Sequence, residues 1–338
     1  FNTLAVLSAI FFGLLGDRLG AVRFAALGLL ALTLGASLGA LANGTATLLA
    51  SRFIEGAGFV AVGVSAPSLI GAATAPTDLR KALGIWAVYM PAGGGLAMLL
   101  APIVLQWQGW RVLWLASAGA AALMLLALWW SRQRYHLRTP PSRSLADLTA
   151  GLRRPTAWAF ALAFACYSVQ FFTVMVWLPT FLVQQRGLPL ALASLLTAVV
   201  VLANVPGNLT GAWLLHRHVR RSTLVVVTNV LMALCAATIF AQALPDMVRF
   251  GACVGLSLFG GMLPTAALSS AQILTREPTQ VGGIQGLMLQ GSNLGQFVAP
   301  PLIAAVVGQS AWGEALPVLL ACAAGGVACG LVAMRLRA

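Results

Sequence analysis

Arg52 and Glu55 stand three residues apart in Leu48-Leu49-Ala50-Ser51-Arg52-Phe53-Ile54-Glu55-Gly56-Ala57-Gly58, an otherwise apolar run. If the run is helical, that spacing puts both on one face. An arginine in the middle of an apolar helix costs about 3 kcal/mol even on the lenient insertion scale, so it must face a cavity or a partner. Two roles follow: a charge that binds a solute, or a structural ion pair with Arg52 reaching toward the surface. A second charged group is the island Gly13-Leu14-Leu15-Gly16-Asp17-Arg18-Leu19-Gly20-Ala21-Val22-Arg23. Asp17 there needs a counterpart, and Arg18, Arg23 or the N-terminus of a helix would serve.

Uncharged polar residues form a third set. Gln285, Gly286, Leu289, Asn293 and Gln296 recur at spacings of three and four, an amide stripe on a glycine-rich stretch. Such a stripe suits the wall of a polar pore or hydrogen bonding between helices. Tyr167, Gln170, Asn204 and Asn208 are further candidates for a cavity lining. Trp86 and Tyr89 fit either that role or an anchor at the membrane surface. Signals for catalysis are poor. The histidines (His136, His216, His218) fall in loops, and neither H-E-x-x-H nor a Walker-type phosphate loop occurs. The five cysteines lie in apolar runs without metal spacing, which reads as buried free thiols. No metal, cofactor or enzymatic activity is expected.

The elements that must hold these residues are membrane helices. Hydrophobic residues make up 60% of the chain and charged ones 8%, and unbroken apolar runs of about twenty residues exclude a transmembrane barrel. Spans are expected at about 24–42, 45–73, 82–105, 112–130, 156–183, 190–215, 222–243, 249–272, 282–308 and 315–334, after a first, partial one ending near Leu15. That makes eleven. The net charge of +13 does not point to nucleic acid. Sixteen basic residues fall in one alternate set of loops plus the C-terminus, against three (Arg111, Arg186, Arg249) in the other, which puts the first set and the C-terminus in the cytoplasm.

The polar stretch 131–155, with Pro140-Pro141, separates five spans from six. A repeat supports the division. Pro76-Thr77 and Gly84-Ile85 recur as Pro278-Thr279 and Gly286-Leu287, and Trp110 as Trp312. Ala101-Pro102 recurs as Ala299-Pro300, and the charged island has a worn copy at 211–221 with His216 in place of Asp17. The expected organisation is an N-terminal helical half (1–130), a cytoplasmic linker (131–155), a C-terminal helical half (156–334) and a short tail (335–338). Eleven helices fit two six-helix halves with the first helix absent.

The island's pattern, G-x-L-x-D-R-x-G-x-x-R, resembles the signature loop of the major facilitator superfamily of secondary transporters. R-x-x-E-G-x-G at 52–58 is similar to that superfamily's fourth-helix motif, although Glu55 stands where the family usually has Gln. The resemblance implies an all-α, two-half membrane transporter working by alternating access, a monomer in a bacterial inner membrane. It would carry a small polar or anionic solute with a proton as coupling ion. It also implies a gating role for Gly13, Asp17, Arg18, Gly20 and Arg23, docked on the start of the eleventh helix near Thr279 to Gly282. Arg52 and Glu55 would handle the solute or proton. Gly84 and Gly93 match the first spacing of the fifth-helix motif of drug–proton exporters, but Ala97-Met98 replaces its Gly-Pro, which weighs against drug efflux. Arg80-Lys81-Ala82-Leu83-Gly84-Ile85-Trp86 and Gly109-Trp110-Arg111 look similar to the cyanate and nitroimidazole-type branch. Drug efflux and a non-transporting membrane sensor are the alternatives.

Overall fold

A computed structural model of the chain describes residues 2–75, 77–107, 109–135, 150–274, 281–308 and 311–336. Thr279 and most of the 131–155 stretch lie outside them. Among the described residues every regular element is helical. They are α1 (Asn2–Leu19), α2 (Ala21–Ala40), α3 (Thr45–Ala73), α4 (Leu79–Ala87), α5 (Tyr89–Trp107), α6 (Trp110–Ser131) and α7 (Pro155–Arg186). The remainder are α8 (Leu190–Leu202), α9 (Asn204–His216), α10 (Arg221–Phe240), α11 (Asp246–Gly260), α12 (Met262–Leu274), α13 (Val281–Val307) and α14 (Ala315–Arg335).

These helices form eleven rods at the positions expected from hydropathy, but three rods are divided. Val88 separates α4 from α5, Ala203 separates α8 from α9, and Gly261 separates α11 from α12. Each dividing residue precedes a proline by three positions: Pro91, Pro206 and Pro264. A proline offers no N–H to the carbonyl four residues back and its ring crowds that carbonyl, so the ladder opens just before it. Proline alone does not divide a helix, because Pro67, Pro102, Pro179 and the Pro300-Pro301 pair sit inside unbroken ones. Among the described residues, nine rods are long and apolar enough to cross a membrane. α13 is not among those nine, because its glycines and amides lower its hydropathy.

The chain forms two compact units. The first comprises Phe1–Leu79, Ala101–Ala157 and Ala271–Gln290. In it α2 packs along α3 and α6, and α1 packs on α3. The α2–α3 seam is narrow because Gly28 and Gly58 face one another: a methyl on Gly58 would lie 2.6 Å from the Gly28 carbonyl oxygen. Arg111, at the start of α6, donates to the carbonyls of Ala40 (3.1 Å) and Ala42 (3.3 Å), and so caps the C-terminus of α2.

The second unit comprises Arg80–Leu100, Trp158–Ser270 and Gly291–Ala338. There α10 packs on α14 and α11, and a core that includes Leu178, Leu182, Ala193, Val200 and Cys253 joins α7, α8 and α11. Arg249 donates to the Ile239 carbonyl at 2.7 Å, capping α10 as Arg111 caps α2. Arg186 pairs with Asp246 at 2.7 Å. Each of the three basic residues outside the main cationic set therefore holds a helix end or an ion pair.

Candidate functional site

The Arg52–Glu55 pair begins about two turns into α3, and the pairing is bidentate: Nη1 to Oε2 and Nη2 to Oε1, each 2.7 Å. Two parallel charge-assisted hydrogen bonds fix the guanidinium plane. The Arg52 side chain is 27% exposed and that of Glu55 11%, so the pair is sheltered without being sealed. The Trp114 ring of α6 stacks against the guanidinium at 3.8 Å, a contact that gains strength where water is scarce. Glycines of α2 make room for this arrangement. A methyl on Gly35 would lie 2.7 Å from Glu55 Cγ, and one on Gly39 would run into the Trp114 ring and come within 2.9 Å of Arg52 Nη2. Trp114, Gly35 and Gly39 were not among the residues expected at a site. The Gly35-Ala36-Ser37-Leu38-Gly39 spacing was the available signal.

The second arrangement joins α1 to the start of α13. Asp17 is buried, and its carboxylate accepts the backbone N–H of Gly282 at Oδ1 (2.9 Å) and of Gly283 at Oδ2 (2.8 Å). Of its three expected partners, the helix N-terminus is the one it meets, while Arg18 and Arg23 are exposed. The first N–H groups of a helix have no partner within it and carry the positive end of its dipole, so a carboxylate satisfies both needs. Close approach of backbones allows it: a methyl on Gly13 would overlap the Gly282 carbonyl, and one on Gly282 would lie 2.6 Å from Asp17 Oδ1. Gly20 turns the chain from α1 into α2 at φ 88°, where a side chain would be strained.

The amide stripe of α13 divides between packing and an open question. Gly286 backs onto Ala9, Gly291 onto Ala161 and Gly295 onto Ala165, so the glycines serve close helix contact. Gln290 Oε1 accepts from the Ile10 N–H at 3.2 Å, and Gln296 Nε2 donates to Ser292 Oγ at 3.2 Å. Leu289, 3% exposed, packs toward Gly63, and Asn293 is buried. Gln285 differs: it is fully buried, and neither end of its amide has a protein partner among the described residues. Buried amides in that state are places where water or a ligand enters.

In the second unit a polar ladder crosses the divided helices. Asn204 Nδ2 donates to the Tyr167 hydroxyl (3.1 Å) and to the Ser257 carbonyl (2.8 Å). Asn208 donates to Asn204, and Thr265 Oγ1 donates to Asn208. Gln170 Nε2 donates to Asn229 Oδ1 at 3.3 Å. Tyr89 stacks on Trp86, with centroids 5.4 Å apart. The expected lining residues thus fall in two sets: Gln285 and Leu289 in the first unit, and Tyr89, Tyr167, Gln170, Asn293 and Gln296 in the second. Among the described residues, no three His, Cys, Asp or Glu side chains cluster as metal ligands would.

Comparison with known proteins bears on this architecture. The chain is 24% identical over 310 residues to NiaP, a candidate niacin/nicotinamide transporter of Bacillus subtilis, covering 86% of this chain and 76% of that one. It is 22% identical over 322 residues to a hexuronate transporter of the same organism, covering 88% and 75%. The fold matches a variant of the E. coli fucose:proton symporter FucP with a TM-score of 0.69 at 19% identity, covering 98% of this chain and 91% of FucP. These relatives are transporters of small solutes, not enzymes. The sequence profile of the Major Facilitator Superfamily matches residues 1–300, and with its apolar helical rods and its Gly-Asp-Arg island the chain belongs to that superfamily of membrane transporters.

Proposed function

We propose that the protein is a proton-coupled permease for a small polar or anionic solute. It resides in a bacterial inner membrane with its C-terminus in the cytoplasm and works by alternating access of its two sequence halves. The observation that carries the reading is the bidentate Arg52–Glu55 pair beneath Trp114. A guanidinium held by one carboxylate is a ready site for another anion. Protonation of Glu55 releases Arg52, an incoming anion takes its place, and the proton and anion then travel together with no net charge at the pair. Relatives that handle niacin/nicotinamide and hexuronate support a solute that can carry a carboxylate, and the structural relative FucP is a fucose:proton symporter. The Asp17 contact with α13 is the candidate gate: it holds only while α1 and the start of α13 are together.

Uptake into proteoliposomes tests this. The full-length chain is reconstituted and supplied with a panel of small carboxylates, neutral sugars and cationic drugs under an inward proton gradient. Carboxylate accumulation that disappears in Arg52→Ala supports the proposal. Drug–proton exchange that persists in Arg52→Ala would replace it with efflux, and ligand binding without flux would replace it with a sensor.

A further inference from the structure

A cavity of about 450 Å³ lies in the second unit, among the C-terminal part of α7, the C-terminal end of α13 and the 312–314 turn before α14. It falls within the size range of small-molecule sites, about 300–1,000 Å³. Trp177, Thr180 and Gln184 line it from one face of α7, Ile303 and Val307 from one face of α13, and Trp312 from the turn. None of these residues belongs to the Arg52 site, which lies in the other unit.

Three observations define what the cavity would take. Its walls are aromatic: Trp312 meets Trp177 at 6.1 Å and Phe181 at 5.4 Å, both edge to face. Such walls suit a flat ring. The indole N–H groups of Trp177 and Trp312 are both buried and have no acceptor among the described residues. Native structures rarely leave such donors unmet, and an indole can only donate, so an occupant that satisfies them must bring acceptors. Finally, the lining carries no charge. Arg186, two residues beyond Gln184, is engaged with Asp246 at 2.7 Å. α7 and α13 end near the lining residues and α14 starts just after Trp312, so the helix ends there do not supply a charge that the lining lacks.

We infer that this cavity is a second solute site, which binds a small, flat, neutral molecule carrying carbonyl or ring-nitrogen acceptors. It sits in the part of the second unit that contains the sparsely charged connections around 187–189 and 308–314. On the orientation proposed above, that is the outward side, where it would capture or sense solute apart from the Arg52 site.

The test is equilibrium binding of isonicotinamide to the purified full-length chain carrying Arg52→Ala by calorimetry, with isonicotinate as the charged counterpart, so that the carboxylate has no Arg52 to bind. The expected result is saturable isonicotinamide binding, with isonicotinate at least about ten-fold weaker. Trp177→Phe and Trp312→Phe keep a ring but remove a donor, and each should weaken binding about five- to ten-fold, the worth of one hydrogen bond. Ala304→Leu narrows the cavity and leaves both donors intact, so it should weaken binding even if a tryptophan variant fails to fold. Because Arg52 is absent from the protein tested, binding reports on this cavity and not on the transport proposal. Absence of saturable binding, equal affinity for isonicotinate, or an affinity unchanged by Ala304→Leu would overturn the inference.

Discussion

The Asp17 carboxylate spans two successive backbone N–H groups of α13, taking Gly282 at 2.9 Å and Gly283 at 2.8 Å across 265 and 266 residues of sequence. A charged acceptor on a helix N-terminus is worth about 1.5–3 kcal/mol where it is buried. Asp17→Asn removes the charge and turns one acceptor into a donor that faces an N–H group. The expected loss is about 2–3 kcal/mol in stability. Thermal unfolding of the purified protein followed by tryptophan fluorescence checks it, and an unchanged Tm would show that the contact contributes nothing.

The glycines at the same crossing act through distance. A methyl on Gly282 would stand 2.6 Å from Asp17 Oδ1 and 2.7 Å from the Gly13 carbonyl oxygen, so Gly282→Ala must push α1 and α13 apart. Because this breaks the contact that Asp17→Asn also breaks, the double variant should cost less than the sum of the two, by about 1 kcal/mol or more. Additive losses would mean that the glycine and the carboxylate act independently.

Trp114, from α6, stacks on the guanidinium that Glu55 holds from Arg52's own helix, α3. Trp114→Ala removes a sheltered cation–π contact of about 2 kcal/mol and frees the guanidinium to reorient. The solute KM should rise by about ten-fold or more, with a smaller change in kcat. Trp114→Phe, which keeps a ring face, should fall between. A KM unchanged in Trp114→Ala would remove Trp114 from the site.

The divided rods make a further prediction. Pro206→Ala restores an N–H to α9 and should let the ladder close across Ala203. Backbone amides at 203–207 should then exchange hydrogen more slowly, and transport should slow if the division serves as a hinge. Faster exchange at these amides would show that the proline stabilises the break rather than causing it.

The legibility of this chain varied with the physics involved. The rods were readable because a run of about twenty apolar residues has few other uses. Arg52 and Glu55 were readable because charge inside such a run is costly enough to demand a partner. The docking of Asp17 on the start of α13 was expected from the superfamily motif and helix dipole, and the contact falls on Gly282 and Gly283. Trp114 was not readable, since nothing in one dimension links it to a residue 62 positions earlier. The amide-rich stretch of α13 was legible as polar but not in its partners: Gln290 bonds to Ile10 of α1 and Gln296 to Ser292 of its own helix, whereas both ends of the Gln285 amide lack a protein partner among the described residues. The divisions at Val88, Ala203 and Gly261 were hidden because Pro67 and Pro179 look the same in sequence and divide nothing.

The central claim is that Glu55 carries the proton while Arg52 carries the solute charge. It is tested most directly by comparing two modes of transport in proteoliposomes made with Glu55→Gln. One is accumulation driven by a pH gradient, and the other is exchange of labelled for unlabelled solute with no gradient. The account predicts that Glu55→Gln abolishes gradient-driven accumulation of a carboxylate yet retains exchange, because Arg52 remains to hold the anion. Accumulation that persists in Glu55→Gln with its pH dependence intact would contradict it.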